Sequence, residues 1–283
     1  MSQEQTHQAR DGKALETLVE QASAQMTVHQ LEAALHEWEC RKFLRNQNSD
    51  LPILLRLARE HGGPVLELGC GTGRVTLELA ASGFEVVGLD RNGALLDRLR
   101  HKLSSAPQLS PQITLVEADM RDFKLEGFFP LIVAPYNCLC CLNSSAELRM
   151  CIRNVRSHLK PGQRFFCQVS AITSSAPHRP DWELLDVDYL EPDGSGPVTA
   201  IYSRVRHEGQ EAVHIDERYV LFWPGGHRET VETSVRLRSI RRAEIEPLLG
   251  AEGLRILHAY GGLDLSPIDP ADESVLVYMA EAV

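Results

Sequence analysis

No uninterrupted apolar run in this 283-residue chain approaches the roughly 20 residues that a membrane-spanning helix needs. The opening stretch MSQEQTHQARDGK also has no apolar signal core. Both absences lead to the expectation of a cytoplasmic protein with no membrane partner. Positive charge is in short supply: 29 Lys and Arg face 39 Asp and Glu, a formal net charge of -10. No global field therefore draws the chain to a polyphosphate backbone, and nucleic acid is disfavoured as a partner. Paired cysteines are missing too. The seven present (Cys40, Cys70, Cys138, Cys140, Cys141, Cys151 and Cys167) are odd in number and sit in a chain large enough to fold without staples, so free thiols in a reducing compartment are expected. Nor is there low complexity or an internal repeat at periods of 20 to 50 residues; 43% hydrophobic residues with 20 Gly and 15 Pro describe an ordinary globular chain.

The apolar spacing that is present divides the chain into three kinds of segment. Over residues 11–45, Leu15, Leu18, Val19 and Ala22, then Val28, Leu31, Leu35 and Trp38, recur at three- and four-residue steps, which predicts helix. From Pro64 the pattern becomes short apolar runs alternating with helical stretches. Strands are expected at 64–68, 85–89, 113–118, 131–135 and 164–170, with helices starting near Gly73, Asn92 and Ser145. Between about 180 and 238 the period is two, as in VTAIYSRVRH, EAVHIDERYVLFW and ETSVRLRSI, broken at Asp193-Gly194, Glu208-Gly209 and Pro224-Gly225-Gly226. The helix RRAEIEPLLGAEG and the strands RILHAYGG and SVLVYMAEA close the chain. The expected fold is α/β: a Rossmann-like, mostly parallel sheet with helices on both faces. An N-terminal helical arm or lid (1–50) precedes a core made of 51–172 and 239–283, and an antiparallel β-meander (173–238) is inserted as a cap over the site or a dimer face.

The residues that carry chemistry begin at Val65-Leu66-Glu67-Leu68-Gly69-Cys70-Gly71-Thr72-Gly73-Arg74, a strand that runs through three alternate glycines into a helix. Glycines let the backbone turn sharply and let a ligand lie against its amides at the helix N-terminus. Asp90 ends the next strand, where a carboxylate can accept hydrogen bonds from both hydroxyls of a ribose. Asp119-Met120 follows the third strand and pairs an acid with an apolar flank for a flat ring. With Glu67 two residues ahead of the first glycine, this order of motifs resembles the class I S-adenosylmethionine-dependent methyltransferases over most of residues 35–283. It is less like a nicotinamide dehydrogenase, whose G-x-G-x-x-G would need a small residue at Arg74.

The resemblance implies a seven-stranded sheet with its last strand antiparallel and S-adenosylmethionine as cofactor, leaving as S-adenosylhomocysteine. By the same resemblance Glu67 organises the loop near the cofactor's amino acid end, Gly69, Gly71 and Gly73 hold the methionine portion, and Asp90 grips the ribose. Asp119 meets the adenine amino group beside Met120, and Cys70, Arg91 and Pro135 complete the cofactor-binding set. The stretch FFPLIVAPYNCLCCL, the late meander and the end AYGGLDLSPIDPADESVLVYMA are similar to the bacterial small-molecule branch of the family. A small-molecule acceptor methylated at nitrogen, then oxygen or carbon, is therefore expected. A His that many members of that branch carry after strand four is replaced here by Cys141.

Methyl transfer is an in-line displacement that positioning and exclusion of water can drive, so a dedicated base is optional. The candidates for proton transfer are Tyr136, Asn137 and Cys141, each of which serves equally as pocket wall. Cys138, Cys140 and Cys141 have no second Cys or His pair at a finger-like interval, so no metal is expected. His178, His207, His214 and His227 lie in or beside the meander and read as solvated strand positions. Trp38, Phe43 and Ser49-Asp50-Leu51-Pro52 either fold over the cofactor as a lid or pack on the sheet edge. The alternative from another class is a non-catalytic cofactor-binding domain that uses its meander as an interaction surface.

Overall fold

The computed structural model describes residues 28–43, 50–172, 176–191, 193–194 and 196–283. The part of the expected first helix that holds Leu15, Leu18, Val19 and Ala22 lies outside these residues, as does the side chain of Phe43. The described elements run α1 (Val28–Phe43), α2 (Leu51–His61), β1 (Val65–Leu68), α3 (Arg74–Ala81), β2 (Val86–Asp90), α4 (Gly93–Ser105), β3 (Ile113–Glu117), β4 (Leu131–Ala134) and α5 (Ser145–Ser157). Next come β5 (Arg164–Val169), β6 (Arg179–Tyr189), β7 (Val198–Glu208), β8 (Ala212–Phe222), β9 (Arg228–Arg238), α6 (Arg242–Ala251), β10 (Leu254–Tyr260) and β11 (Leu276–Ala282).

The main sheet has seven strands in the order β10-β11-β5-β4-β1-β2-β3. The first five strands pair in parallel, while β11 is antiparallel to both β5 and β10. β1 and β4 are buried at every position because helices cover both faces, which is why their sequences read as unbroken apolar runs. One face packs α5 and α6 through Leu148, Ile152, Val155, Ile245 and Leu249. The other packs α2 and α3 through Leu54, Leu57, Val75 and Leu79. Caps fix two helix starts: Asn92 Oδ1 accepts from Ala94 N, and Ser144 Oγ accepts from Glu147 N while Glu147 accepts from Asn143 N.

Between β5 and α6 the chain leaves to build a second sheet, β6-β7-β8-β9, all antiparallel with strands of eleven residues. The four strands occupy the expected meander, and the expected breaks at Asp193-Gly194, Glu208-Gly209 and Pro224-Gly225-Gly226 fall at the turns between them. β6 is the least regular of the four: Pro180 sits near its start and its pairing slips between Arg179 and Glu183 and again between Leu184 and Asp186. The first slip inserts two residues and keeps the facing, the second inserts one and moves later side chains to the other face, and only an edge strand tolerates the proline.

α1 packs on this second sheet, not on the edge of the first. Leu31, Ala34, Leu35 and Trp38 are buried against Leu190, Ile201, Tyr219 and Leu221, and Trp38 Nε1 donates to Tyr189 O at 2.8 Å. The opposite flank of α1 is clipped to α4: Arg98 bridges Glu37 and Glu191 at 2.6 Å each, and Lys102 reaches Glu37 at 2.7 Å. The arm is therefore held between the second sheet and the core. At the other end of that sheet, Arg238 on β9 donates to Leu142 O and pairs with Glu244 of α6.

Candidate active site

Strand order reverses beside β1, with β2 on one side and β4 on the other, so the loops after β1 and β4 part at the carboxyl ends of adjacent strands. Open α/β sheets bind ligands in that crevice. The loop after β1 takes three left-handed glycines, Gly69 (φ 68°), Gly71 (φ 53°) and Gly73 (φ 89°). A methyl group at Gly69 would stand 2.9 Å from Cβ of Cys138, so this glycine lets the β1 and β4 loops touch. Gly71 differs: among the described residues, the one heavy atom within 4 Å of a Cβ placed there is Nε2 of His36, at 3.8 Å. The space over Gly71 is open, a cradle that a Cβ would partly fill.

Asp90 closes the cradle from β2. Its Oδ2 accepts from Gly71 N and its Oδ1 from Asn92 N, both at 2.9 Å, so the carboxylate and the glycine loop fix each other. Beneath the loop Glu67 is buried and accepts from Thr76 Oγ1 at 2.5 Å. Burial pushes the Glu67 carboxyl up to about 8 from its usual 4.5, with the Thr76 hydroxyl and Arg74 opposing the shift. Arg74, first residue of α3, forms a two-pronged pair with buried Asp50 at 2.6 Å on both oxygens. Asp50 stands at the N-cap position of α2 but spends its carboxylate on this strap and not on the helix end.

A raised carboxyl fixes a pH dependence. Between 4.5 and about 8 the folded state holds more protons on Glu67 than the unfolded chain, so its contribution to stability falls as pH rises through that window. Glu67→Gln is therefore expected to melt several degrees above the cofactor-free parent at pH 8, with the gap closing by pH 5. Thermal melts across that range read it, and a gap that does not change with pH contradicts the assignment.

After β4, Pro135 is followed by two left-handed residues, Tyr136 (φ 51°) and Asn137 (φ 56°), and then a 3-10 turn over Cys138–Cys141. Asparagine accepts this conformation readily; for tyrosine it is strained, a cost of order 1–3 kcal/mol that clusters at functional sites. Ser170 Oγ donates to Asn137 Oδ1 at 2.8 Å, which orients the amide, and the Arg74 guanidinium lies 5.8 Å from the centre of the Tyr136 ring. Burial pushes the Cys141 thiol up against a smaller opposing pull from Arg91, so it stands protonated at neutral pH. Cys140 and Cys151 are likewise pushed up to about 12, mainly by burial. Among the described residues no group of His, Cys, Asp or Glu is arranged to hold a metal, and their cysteines are free.

The third motif joins the same crevice. Ala118 N donates to Asp90 O, and Met120 Cε comes within 4.0 Å of a Cβ at Gly69. Both Asp119 oxygens accept from the Arg121 guanidinium, at 2.9 and 2.6 Å, and Arg121 also pairs with Glu147. That ion pair holds the Asp119 carboxyl below its usual range. Arg91 is near enough to Asp119 and Cys141 to act on both electrostatically. Glu67, Gly69, Cys70, Gly71, Gly73, Asp90, Arg91, Asp119, Met120 and Pro135 thus gather at one end of the sheet, with Tyr136, Asn137 and Cys141 alongside. Missed in the sequence were His36, Asp50 as the partner of Arg74, and Thr76 under Glu67. Asp50 ahead of Leu51-Pro52 carries a helix-start signal, but nothing local announces its bond to Arg74.

This donor set suits an adenosyl cofactor: amides and an open glycine at a helix start, an acid beside them for a diol, and an apolar thioether at the edge. Comparisons with known proteins agree. Residues 65–162 match the family model described as a methyltransferase domain. A cypemycin N-terminal methyltransferase of a Streptomyces species is 33% identical over 105 residues, which are 37% of this chain and 41% of that protein. The chain thus spans about two fifths of that relative. A dTDP-3-amino-3,4,6-trideoxy-alpha-D-glucopyranose N,N-dimethyltransferase of Streptomyces venezuelae is 25% identical over 217 residues, 76% of this chain and 84% of that one. Among solved structures, an amino pentose methyltransferase of Micromonospora echinaspora with S-adenosylmethionine bound shares the fold with a TM-score of 0.63 at 21% identity, covering 91% of this chain and 99% of that chain. Residues 65–162 are thus a methyltransferase domain, in a chain whose motifs and fold are similar to those of S-adenosylmethionine-dependent methyltransferases.

Proposed function

We propose that the protein methylates an amine nitrogen of a small organic molecule in the crevice between the glycine loop, the β4 loop, α1 and the second sheet. The observation that carries this reading is the length of the match to the amino-sugar N,N-dimethyltransferase, which extends well beyond the cofactor-binding third of the chain. The chain's net charge of -10 provides no general attraction for a nucleic-acid backbone, which is consistent with a small-molecule acceptor.

When bound, the cofactor supplies a sulfonium-activated methyl group. In this reading Gly69, Cys70, Gly71 and Gly73 receive its methionine portion, with Glu67 bracing the loop through Thr76. Asp90 accepts from the ribose hydroxyls. Asp119, squared up by Arg121, receives the adenine amino group beside Met120, and Arg91 and Pro135 border the pocket. Tyr136 and Asn137, in their strained turn, form the acceptor's wall. Asn137, its amide oriented by Ser170, orients the acceptor nitrogen, and α1 with the second sheet keeps bulk water out. An amine that arrives protonated must give up that proton before its lone pair can attack. Cys141, held as a thiol, cannot take it as a thiolate, which leaves Tyr136, Asn137 or water to pass it on.

The test is turnover on matched pairs: amine-bearing nucleotide sugars and simple amines, each beside its hydroxyl counterpart, followed by mass spectrometry for a gain of one or two methyl groups. Methylation of amines with S-adenosylhomocysteine released, and hydroxyl counterparts left untouched, is the expected result. Preference for the hydroxyl compounds contradicts nitrogen as the target. Tight cofactor binding with no turnover on any acceptor favours the non-catalytic alternative.

A further inference from the structure

His36 is a part of this crevice that the cofactor motifs do not include. It sits on α1, and among the described residues its Nε2 is the heavy atom that approaches the open side of Gly71, the residue whose amide donates to Asp90. Its position is set from both sides in sequence, because Leu35 is buried on the second sheet while Glu37 is clipped to Arg98 and Lys102 on α4. The side chain keeps a solvent-exposed surface, yet enclosure by protein is the largest influence on its ionisation. His36 therefore stands at the solvent side of the glycine cradle.

We propose that His36 is a second ribose-reading residue, its imidazole hydrogen-bonding the vicinal diol of the adenosyl cofactor that Asp90 also receives. The inference rests on the reading of Asp90 as the ribose acid. Chemistry favours a diol over the cofactor's charged groups. Burial lowers the His36 pKa; Asp90 and Glu37 pull the other way, and Lys102 adds to the lowering. A neutral imidazole offers one donor and one acceptor, which suits hydroxyls already donating to a carboxylate. A carboxylate ligand would call for a cation there, and a sulfonium offers no hydrogen bond. The arm thereby becomes part of the cofactor site, so α1 and the second sheet that holds it bear on cofactor affinity as well as on the acceptor.

The test is calorimetric titration of the full chain and of His36→Ala and His36→Gln with two ligands, S-adenosylhomocysteine and its 2′,3′-dideoxy analogue. His36→Ala is expected to weaken S-adenosylhomocysteine about tenfold, the worth of one good hydrogen bond. It should leave the dideoxy analogue within twofold, and His36→Gln should recover part of the loss. Equal weakening of both ligands, or of neither, overturns the assignment to the diol. Failure of the parent chain to bind S-adenosylhomocysteine at all would instead overturn the cofactor assignment on which it stands. A thermal melt of each variant separates lost contact from lost fold.

Discussion

Gly71→Ala is expected to weaken S-adenosylhomocysteine at least a hundredfold with little loss of stability, and Gly73→Ala to do the reverse, its main effect being a lower melting temperature. The two glycines are two residues apart and both left-handed, so an alanine pays about 1–2 kcal/mol of backbone strain at either. What lies beyond each hydrogen separates them. At Gly73 a Cβ would strike both methyls of Leu99, the farther at 2.9 Å, and Leu99 is fully buried beneath the loop with Cys70, Leu96 and Leu103. Overpacking adds about 1–3 kcal/mol, for a total near 3 kcal/mol and a melting temperature lower by about 10 °C. At Gly71 the same carbon meets nothing nearer than His36 Nε2 at 3.8 Å and projects into the space that the cofactor's backbone contacts require. A hundredfold loss corresponds to about 2.7 kcal/mol. Thermal melts and calorimetry on both variants decide the matter; equal behaviour of the two would show that Gly71 faces no ligand.

Trp38→Ala should cost about 3–5 kcal/mol, the range for truncating a buried large aromatic, and the loss should be felt in the arm before the core. Trp38 fills the seam between α1 and the second sheet and satisfies Tyr189 O across 151 residues of sequence. Without it, α1 keeps its ion pairs from Glu37 but loses its apolar anchor. Hydrogen exchange is expected to quicken in α1, β7 and β8 while β1, β4 and β5 stay protected; Trp38→Phe should restore much of the packing but not the hydrogen bond. Uniform acceleration over both sheets would mean that arm and core unfold as one unit.

How much of this was legible beforehand follows from the distance over which each feature is encoded. β1 to β5 could be read because strands covered on both faces spell continuous apolar runs between glycine and helix-start signals. The glycine loop, Asp90 and Asp119 could be read because the strand-turn-helix unit places its chemistry within a few residues of each strand's end. β6 could be placed within the meander but its register could not, since Pro180 and two slips interrupt its pairing. The walls of the site were less legible still. Arg74 finds Asp50 24 residues upstream, Arg98 finds Glu191 93 residues downstream, and His36 reaches Gly71 only because α1 is pinned between the second sheet and α4. The ion pair of Asp119 with Arg121 is local, but a two-residue spacing of opposite charges is too common in any sequence to single out.

The measurement that bears most directly on the whole account is a calorimetric titration of the full chain at neutral pH with S-adenosylhomocysteine and, in parallel, with NAD, using Gly71→Ala as the control. One site for S-adenosylhomocysteine, none for NAD, and loss of the first in Gly71→Ala is the predicted outcome. Binding of NAD, or equal S-adenosylhomocysteine affinity in parent and variant, would contradict the placement of the adenosyl cofactor on this loop.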